Sequence, residues 1–195
     1  MNYNYVKLSD VEQGNIYKAL CASYQEWEDF SKWENDGKQF DKDIHNFPDT
    51  IGSSGFVTIM GRELVGFISW DPRQFPSYVI IAHNCVLPEY RNQGIGKHQI
   101  TRALSSFQQY GFEFARVSTK RDPFFKSARR MYESCGFSEC SPYRNDGENM
   151  IYYSIKLKDY SQQNQHDRRK SSPARYFRRR RLYTQNHWCP NVWQF

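Results

Sequence analysis

The chain predicts a mixed α/β domain with a basic extension, and three observations carry that prediction. Strand-period and helix-period runs alternate from Tyr5 to Leu157. A long β-branched stretch, "YVIIAHNCVL", has the composition of a central strand. Beyond Leu157 the apolar period stops and Gln, Asn, Ser and Arg take over. The 195 residues suit one ordinary core with an appendage. Residues 1–157 therefore read as one domain and 158–195 as a tail expected to be disordered.

Element by element, a short apolar start (Tyr5, Val6, Leu8) leads into Ser9-Asp10-Val11-Glu12, which fits a capping box and predicts a helix. Tyr17, Leu20, Cys21, Tyr24 and Trp27 supply its apolar stripe. Residues 26 to 49 are acidic, with eight acids against Lys32, Lys38 and Lys42. "FVTIM" and "LVGFISW" flank Gly61-Arg62-Glu63 and predict a hairpin with a three-residue loop. The long strand follows the Pro-bounded "DPRQFPS" and ends at Pro88. Ile100, Ala103, Leu104 and Phe107 make a helical stripe stopped by Gly111, and "FEFARVSTK" is again a strand. Phe124, Ala128, Met131, Tyr132 and Cys135 form a further stripe stopped by Gly136, before short strands near Phe137 and at "NMIYYSIKL". The two helices after the long strand act as crossovers.

Charge divides unevenly. The formal net charge is +6, yet the stretch from Lys158 onward holds nine of the 27 basic residues and two of the 21 acids, so residues 1–157 carry 18 basic residues against 19 acids. The domain is not a polyanion binder by composition, and any such role falls to the tail. The N-terminus lacks the apolar core of a signal peptide and no window approaches a membrane span, so a cytoplasmic protein with no membrane partner is expected. Cys21, Cys85, Cys135, Cys140 and Cys189 are scattered, with no CxxC pair and no His at ligand spacing, which reads as reduced thiols and no metal site.

Between the long strand and the next helix stands "VLPEYRNQGIGK". A strand that opens through glycines into a helix leaves the first helical amides unpartnered and makes an anion site. A Walker A loop is absent, and Gly94 and Gly96 are too few for the dinucleotide fingerprint. On the glycines alone, an anion cradle and a plain helix-start turn remain open.

The wider pattern is similar to the GNAT superfamily of acyl-CoA-dependent N-acetyltransferases. Arg91-Asn-Gln-Gly94-Ile-Gly96 matches the signature Arg/Gln-x-x-Gly-x-Gly/Ala, and Ala128-Arg-Arg-Met-Tyr132-Glu133-Ser-Cys-Gly136-Phe137 matches a second family element. The resemblance spans roughly residues 3 to 157. It implies a mainly antiparallel central sheet flanked by helices, splayed where the long strand leaves its neighbour to admit the pantetheine arm of acetyl-CoA. It implies that Asn84, Cys85 and Val86 pair with that arm, and that Arg91, Asn92, Gln93, Gly94, Ile95, Gly96 and Lys97 hold the pyrophosphate, with Arg91 either touching phosphate or bracing the loop.

Acetyl transfer to an amine needs a neutral nucleophile, a stabilised oxyanion and a proton for the departing thiolate. The resemblance assigns the proton to Tyr132 and the carbonyl donor to the amide of Val86. Two departures stand out: Ile80 occupies the place where histone-modifying members carry a glutamate, and Phe125 replaces an asparagine common near the CoA arm. The nearest titratable group on the strand is His83, a candidate base and equally a sheet histidine. The other routes are a carboxylate from the acidic segment acting through water, or no dedicated base at all.

The acceptor would enter over residues 24 to 49, where acids and aromatic rings suit a cationic amine, or equally form a solvated helix face. The expected reaction is direct attack of a cationic small-molecule amine in a ternary complex. The alternatives are a protein lysine or N-terminus as acceptor, and a non-catalytic acyl-CoA-binding module whose tail, "RYFRRRRLY", contacts nucleic acid. That tail equally has the composition of an unselected extension. Oligomeric state, a homodimer included, is open.

Overall fold

Strand β4 (Tyr78–Val86) organises the molecule. In the computed structural model, which describes residues 3–144 and 149–157, it lies mid-sheet with a neighbour on each side. Before it come β1 (Tyr3–Val6), β2 (Gly55–Met60) and β3 (Glu63–Asp71), and after it β5 (Phe114–Lys120), β6 (Ser138–Cys140) and β7 (Met150–Lys156). The sheet order is β1-β2-β3-β4-β5-β7-β6. Only the β4–β5 pairing is parallel among these neighbours. That pairing needs a crossover, which α3 (Ile95–Tyr110) supplies; α4 (Lys126–Ser134) makes the second, from β5 to β6. The sheet is thus mixed and mainly antiparallel, flanked by helices.

Each face has its own core. Val79 and Ile81 of β4 and Ala115 and Val117 of β5 pack with Ile100, Ala103 and Phe107 of α3. On the other face Val57, Phe67 and Cys85 meet α1 (Asn15–Tyr24) and α2 (Glu34–Asn46) through Leu20, Phe40 and Ile44. Near-complete exclusion of these side chains from water contributes about 1.5–3 kcal/mol each.

Three local expectations are corrected. The Ser9–Glu12 box does not start the first helix: Ser9 sits in a 3-10 turn at Leu8–Asp10, where the Lys7 amide donates to Asp10 Oδ2 at 3.1 Å. Helix α1 begins at Asn15, and its exposed amides are satisfied by a distant acid: the amides of Gly14 and Tyr17 donate to Asp41 of α2, at 2.7 and 3.1 Å. A tertiary cap outcompetes the local one because it also ties the two helices together. The hairpin loop has two residues, Gly61-Arg62, since Glu63 pairs with Met60. Helix α2 is an added element, set in the segment that reads as an acidic run. Its stripe is thin, with Phe40 and Ile44 buried and Gly37 letting the helix approach Leu20 and Tyr17.

The basic run from Lys158 onward, and with it the expectation of a disordered tail, lies outside the described residues. Among the described residues no helix is long and apolar enough to cross a membrane.

Candidate active site

Pairing between β4 and β5 stops at Ile81↔Val117. The cause is visible on the other side of β4. There Ser69 pairs with His83 and Trp70 with Ile81, which leaves Ala82 as an extra residue, a bulge that bends the strand. Beyond it β5 continues with β7, while β4 runs on against β3 alone. A wedge opens between the two strands. It widens into a cleft of about 550 Å³ bounded by the end of α1, the first turn of α3 and the inner face of α4.

Backbone direction decides what β4 offers to the cleft. The Leu87 amide donates to Val65 of β3 at 3.0 Å. Neighbouring residues of a strand turn their amides to opposite edges, so the Val86 amide turns to the cleft, and that of Asn84 with it. The Asn84 side chain donates from Nδ2 to the Gly96 carbonyl at 3.2 Å and to Met131 Sδ at 3.3 Å. Its Oδ1 is buried with no partner among the described residues. An orphaned buried acceptor is costly, and it fits a ligand that donates there.

The loop after Pro88 is built to leave amides free. Asn92 (φ 63°) and Gly94 (φ 80°) both have left-handed backbone, which gathers successive N–H groups toward one side. The His98 amide is the first to join the helical ladder, on the Gly94 carbonyl at 3.0 Å. The amides of Ile95, Gly96 and Lys97 therefore precede it, with no side-chain cap and no acid in the first turn. Helix dipole and free N–H groups together favour an anion. Gly96 sits close under α4: a Cβ there would stand 3.0 Å from Met131 Sδ, which would have to give way. Arg91 braces this loop, donating from Nη2 to the Ser23 carbonyl at 2.7 Å and from Nε to the Val86 carbonyl at 3.4 Å.

Asn84, Cys85, Val86, Arg91, Asn92, Gly94, Ile95, Gly96, Lys97 and Tyr132 thus all line one cleft. Gln93 is exposed, with its side chain turned back to the Glu89 carbonyl at 3.4 Å, and is not part of the lining. His83 is the clear correction. Its ring is 1% exposed, lies 4.8 Å from the Phe40 ring and 5.9 Å from Phe67, and shares a 2.8 Å hydrogen bond with Ser69 Oγ. Burial pulls its pKa down to about 3. It does not line the cleft and sits as a core histidine, against the expectation of a base there.

Tyr132 projects from α4 into the cleft and is otherwise packed on Phe137 and Tyr153. Burial first, with Cys85 and Cys135 nearby, raises its pKa and keeps the phenol protonated. Tyr24 completes the floor beside it, its hydroxyl 3.7 Å from Cys85 Sγ, and its pKa is raised well above the ordinary value by burial. Among the described lining residues Glu26 is the one carboxylate. Sequence reasoning placed Tyr24 in an apolar stripe and Glu26 in an undivided acidic run. Neither had a signal in the sequence, since the apolar stripe runs on to Trp27 while α1 ends at Tyr24.

The cage of acids and rings expected for a cationic acceptor is largely occupied from within. Asp41 caps α1, Asp43 accepts from Gln39, Glu34 accepts from Tyr17 and Lys38, and Asp29 pairs with Lys32. The Trp27 face already holds a cation, Lys120 Nζ, 4.3 Å from the ring centroid. Among the described residues no group of three or more His, Cys, Asp or Glu is placed to hold a metal ion.

Comparison with known proteins agrees with this geometry. Residues 16–137 match the model of the acetyltransferase (GNAT) family. The uncharacterized N-acetyltransferase YsnE of Bacillus subtilis is 22% identical over 122 residues, covering 56% of this chain and 81% of that protein. Among solved structures, the PaiA N-acetyltransferase of Thermoplasma acidophilum in complex with coenzyme A superposes with a TM-score of 0.66 at 17% identity, covering 80% of this chain and 99% of that one. A GNAT-family acetyltransferase from Staphylococcus aureus gives 0.60 at 19% identity, covering 80% and 100%. A splayed sheet, a glycine-bent helix start and a family model matched over most of the domain converge on one conclusion: the chain belongs to the acetyltransferase (GNAT) family.

Proposed function

We propose that the chain transfers the acetyl group of acetyl-CoA to the primary amine of a small molecule, by direct attack with both substrates bound. The observation that carries this is the wedge after Ile81 and Val117 running into the uncapped start of α3. An extended polar arm that ends in phosphate fits both parts at once. The free edge of β4 takes the arm, the amides of Ile95, Gly96 and Lys97 take the pyrophosphate, and Asn84 Oδ1 accepts from an amide of the arm. The solved relative with coenzyme A bound supports this reading.

The residues divide the chemistry as follows. The Val86 amide polarises the thioester carbonyl. Tyr132, held protonated by burial, gives its proton to the departing thiolate. Glu26 removes the proton of the attacking ammonium, directly or through water. Cys85 argues for direct transfer over an acyl-enzyme: burial pushes its thiol up to about 12. Burial thus holds the thiol protonated, and the thiolate is the form that a nucleophile needs.

Calorimetric titration of the full chain with acetyl-CoA, followed by thiol release across a panel of amines, tests the proposal. Saturable acetyl-CoA binding and amine-dependent release are expected, and Glu26→Gln should lower kcat/KM for the amine far more than it weakens acetyl-CoA. Failure to bind acetyl-CoA would sink the reading.

A further inference from the structure

We infer that the amine acceptor carries an aromatic ring, held by a wall of three rings, Tyr24, Phe124 and Phe125, beside Glu26; this rests on the acetyl-transfer reading above. The two faces of the sheet give each substrate its side. Tyr132 belongs to the core that α3 covers, with Ile100, Ala103 and Phe107. Tyr24 packs against the opposite core, with Leu20, Phe40 and Cys85. Both tyrosines line the cleft, so they approach it from opposite faces. The anion loop opens into α3, on the Tyr132 face. An arm that runs from that loop into the wedge therefore leaves the α1 face to the amine.

The wall forms where two elements meet. Tyr24 ends α1, while Phe124 and Phe125 stand in the 3-10 turn Pro123–Phe125 that leads into α4. The Asp122 side chain caps this turn, accepting from the Phe124 amide at 2.7 Å, which sets the direction of both rings. The Tyr24 centroid lies 6.1 Å from that of Phe124 and 6.3 Å from that of Phe125, and the two phenylalanines meet edge to face at 5.0 Å. Further rings hold these from behind: Trp27 meets Phe125 edge-on at 5.2 Å, and Phe30 stacks on Tyr24 at 6.1 Å. Trp27 itself does not line the cleft, and its face holds Lys120. Tyr24 and Phe124 are only half-buried, so apolar ring surface faces the cleft already fixed in place. A second ring laid there removes that surface from water and adds edge-to-face or offset contact. One carboxylate stands beside the wall. Glu26 lies two residues beyond Tyr24, in a turn closed by the Trp27 amide on the Tyr24 carbonyl at 2.9 Å. The cations of the lining, Arg91 and Lys97, belong to the anion loop and the first turn of α3. A polyamine would find one acid for several ammonium groups. An arylalkylamine matches: its ring rests on the wall while its ammonium reaches Glu26.

Calorimetry of the full chain saturated with CoA follows the addition of phenethylamine, tyramine and tryptamine, against ethylamine, cyclohexylethylamine, spermidine and glucosamine; thiol release from acetyl-CoA is measured for the same amines. At least one aromatic amine should bind, and be acetylated with a kcat/KM about tenfold or more above that of ethylamine. Phenethylamine should exceed cyclohexylethylamine, its saturated counterpart, by about threefold or more. Phe124→Leu should bring those two amines within about twofold of each other, while Phe124→Tyr keeps the preference. The comparison of amines on the unaltered chain decides even where a variant is unstable. No aromatic amine bound, or any of the four ring-free or saturated amines equal to the best aromatic one, would overturn the inference and show the rings to be packing alone. Loss of acetyl-CoA binding in the separate titration overturns the transfer reading instead, and aromatic amine binding to the chain without CoA then still reports on the wall.

Discussion

The side chain of Asn84 on β4 donates to the Gly96 carbonyl in the first turn of α3, at 3.2 Å. This bond ties the edge of the wedge to the anion loop. The two parts of the cleft, the open edge of β4 and the start of α3, are thereby kept in one register. Met131 of α4 closes the same corner, in contact with Asn84 Nδ2 and close to Gly96.

Gly96→Ala should therefore injure binding before it injures folding. The added methyl would stand 3.0 Å from Met131 Sδ and 3.6 Å from both Asn84 Nδ2 and Val86 Cγ2. The thioether is flexible and yields, and helix positions prefer Ala, so thermal stability should stay within a few degrees. The displaced sulfur moves into the cleft. Calorimetry should show acetyl-CoA weakened about tenfold, or ~1.4 kcal/mol.

Arg91 serves the loop by bracing it. Its guanidinium joins the Ser23 carbonyl at the end of α1 to the Val86 carbonyl at the end of β4. Arg91→Ala should cost about 1.5–3 kcal/mol in urea unfolding, the range for hydrogen bonds from a charged group. Arg91→Lys should recover less than half, because an ammonium cannot fork to two carbonyls on different elements. Full stability in the lysine variant would assign the residue to phosphate contact instead.

His83 makes a prediction about pH. Its folded pKa, about 3, lies below the ordinary 6.5, so below pH 6.5 the unfolded chain binds a proton that the native chain refuses. Stability from this group is complete above about 6.5 and is lost as pH falls toward 3, with a slope approaching 1.4 kcal/mol per pH unit. His83→Leu should flatten that part of a stability-pH curve measured by denaturant titration. The same variant should leave the pH profile of kcat/KM unmoved; a lost ionisation in that profile would restore the histidine as a base.

How far the sequence carried the structure can be judged from particular residues. The order of strands and crossovers was legible, since period-2 and period-3.6 stretches differ plainly and Gly111 and Gly136 mark helix ends. The anion loop was legible from Arg91 through Gly96. Helix α2 was not, because its apolar face is Phe40 and Ile44 in an acidic run, and its stability comes from packing on α1. Nor was the bulge at Ala82, which no local residue announces and which alternation rules assume away. That single extra residue opens the wedge. His83 stood equally as a base or a sheet histidine because strand position does not reveal Phe40 stacked on it from a helix 43 residues earlier in the chain. The Lys120–Trp27 pair was equally hidden, for it joins β5 to the segment after α1.

Tyr132→Phe isolates the proton at the departing sulfur. The ring packs between Phe137 and Tyr153, with centroids 5.9 and 6.3 Å away, and those contacts survive loss of the hydroxyl. Thermal stability and acetyl-CoA affinity should therefore change little, while kcat falls about 10²-fold, the lower end for a lost general acid. The discriminating measurement uses acyl donors whose thiols differ in pKa. A leaving group that needs no proton escapes the defect, so the variant should approach wild-type rate with an acidic aryl thioester and fall furthest behind with acetyl-CoA. A uniform loss across donors would mean that Tyr132 positions the substrate, and would pass the proton to Tyr24, whose hydroxyl is the other buried phenol in the cleft.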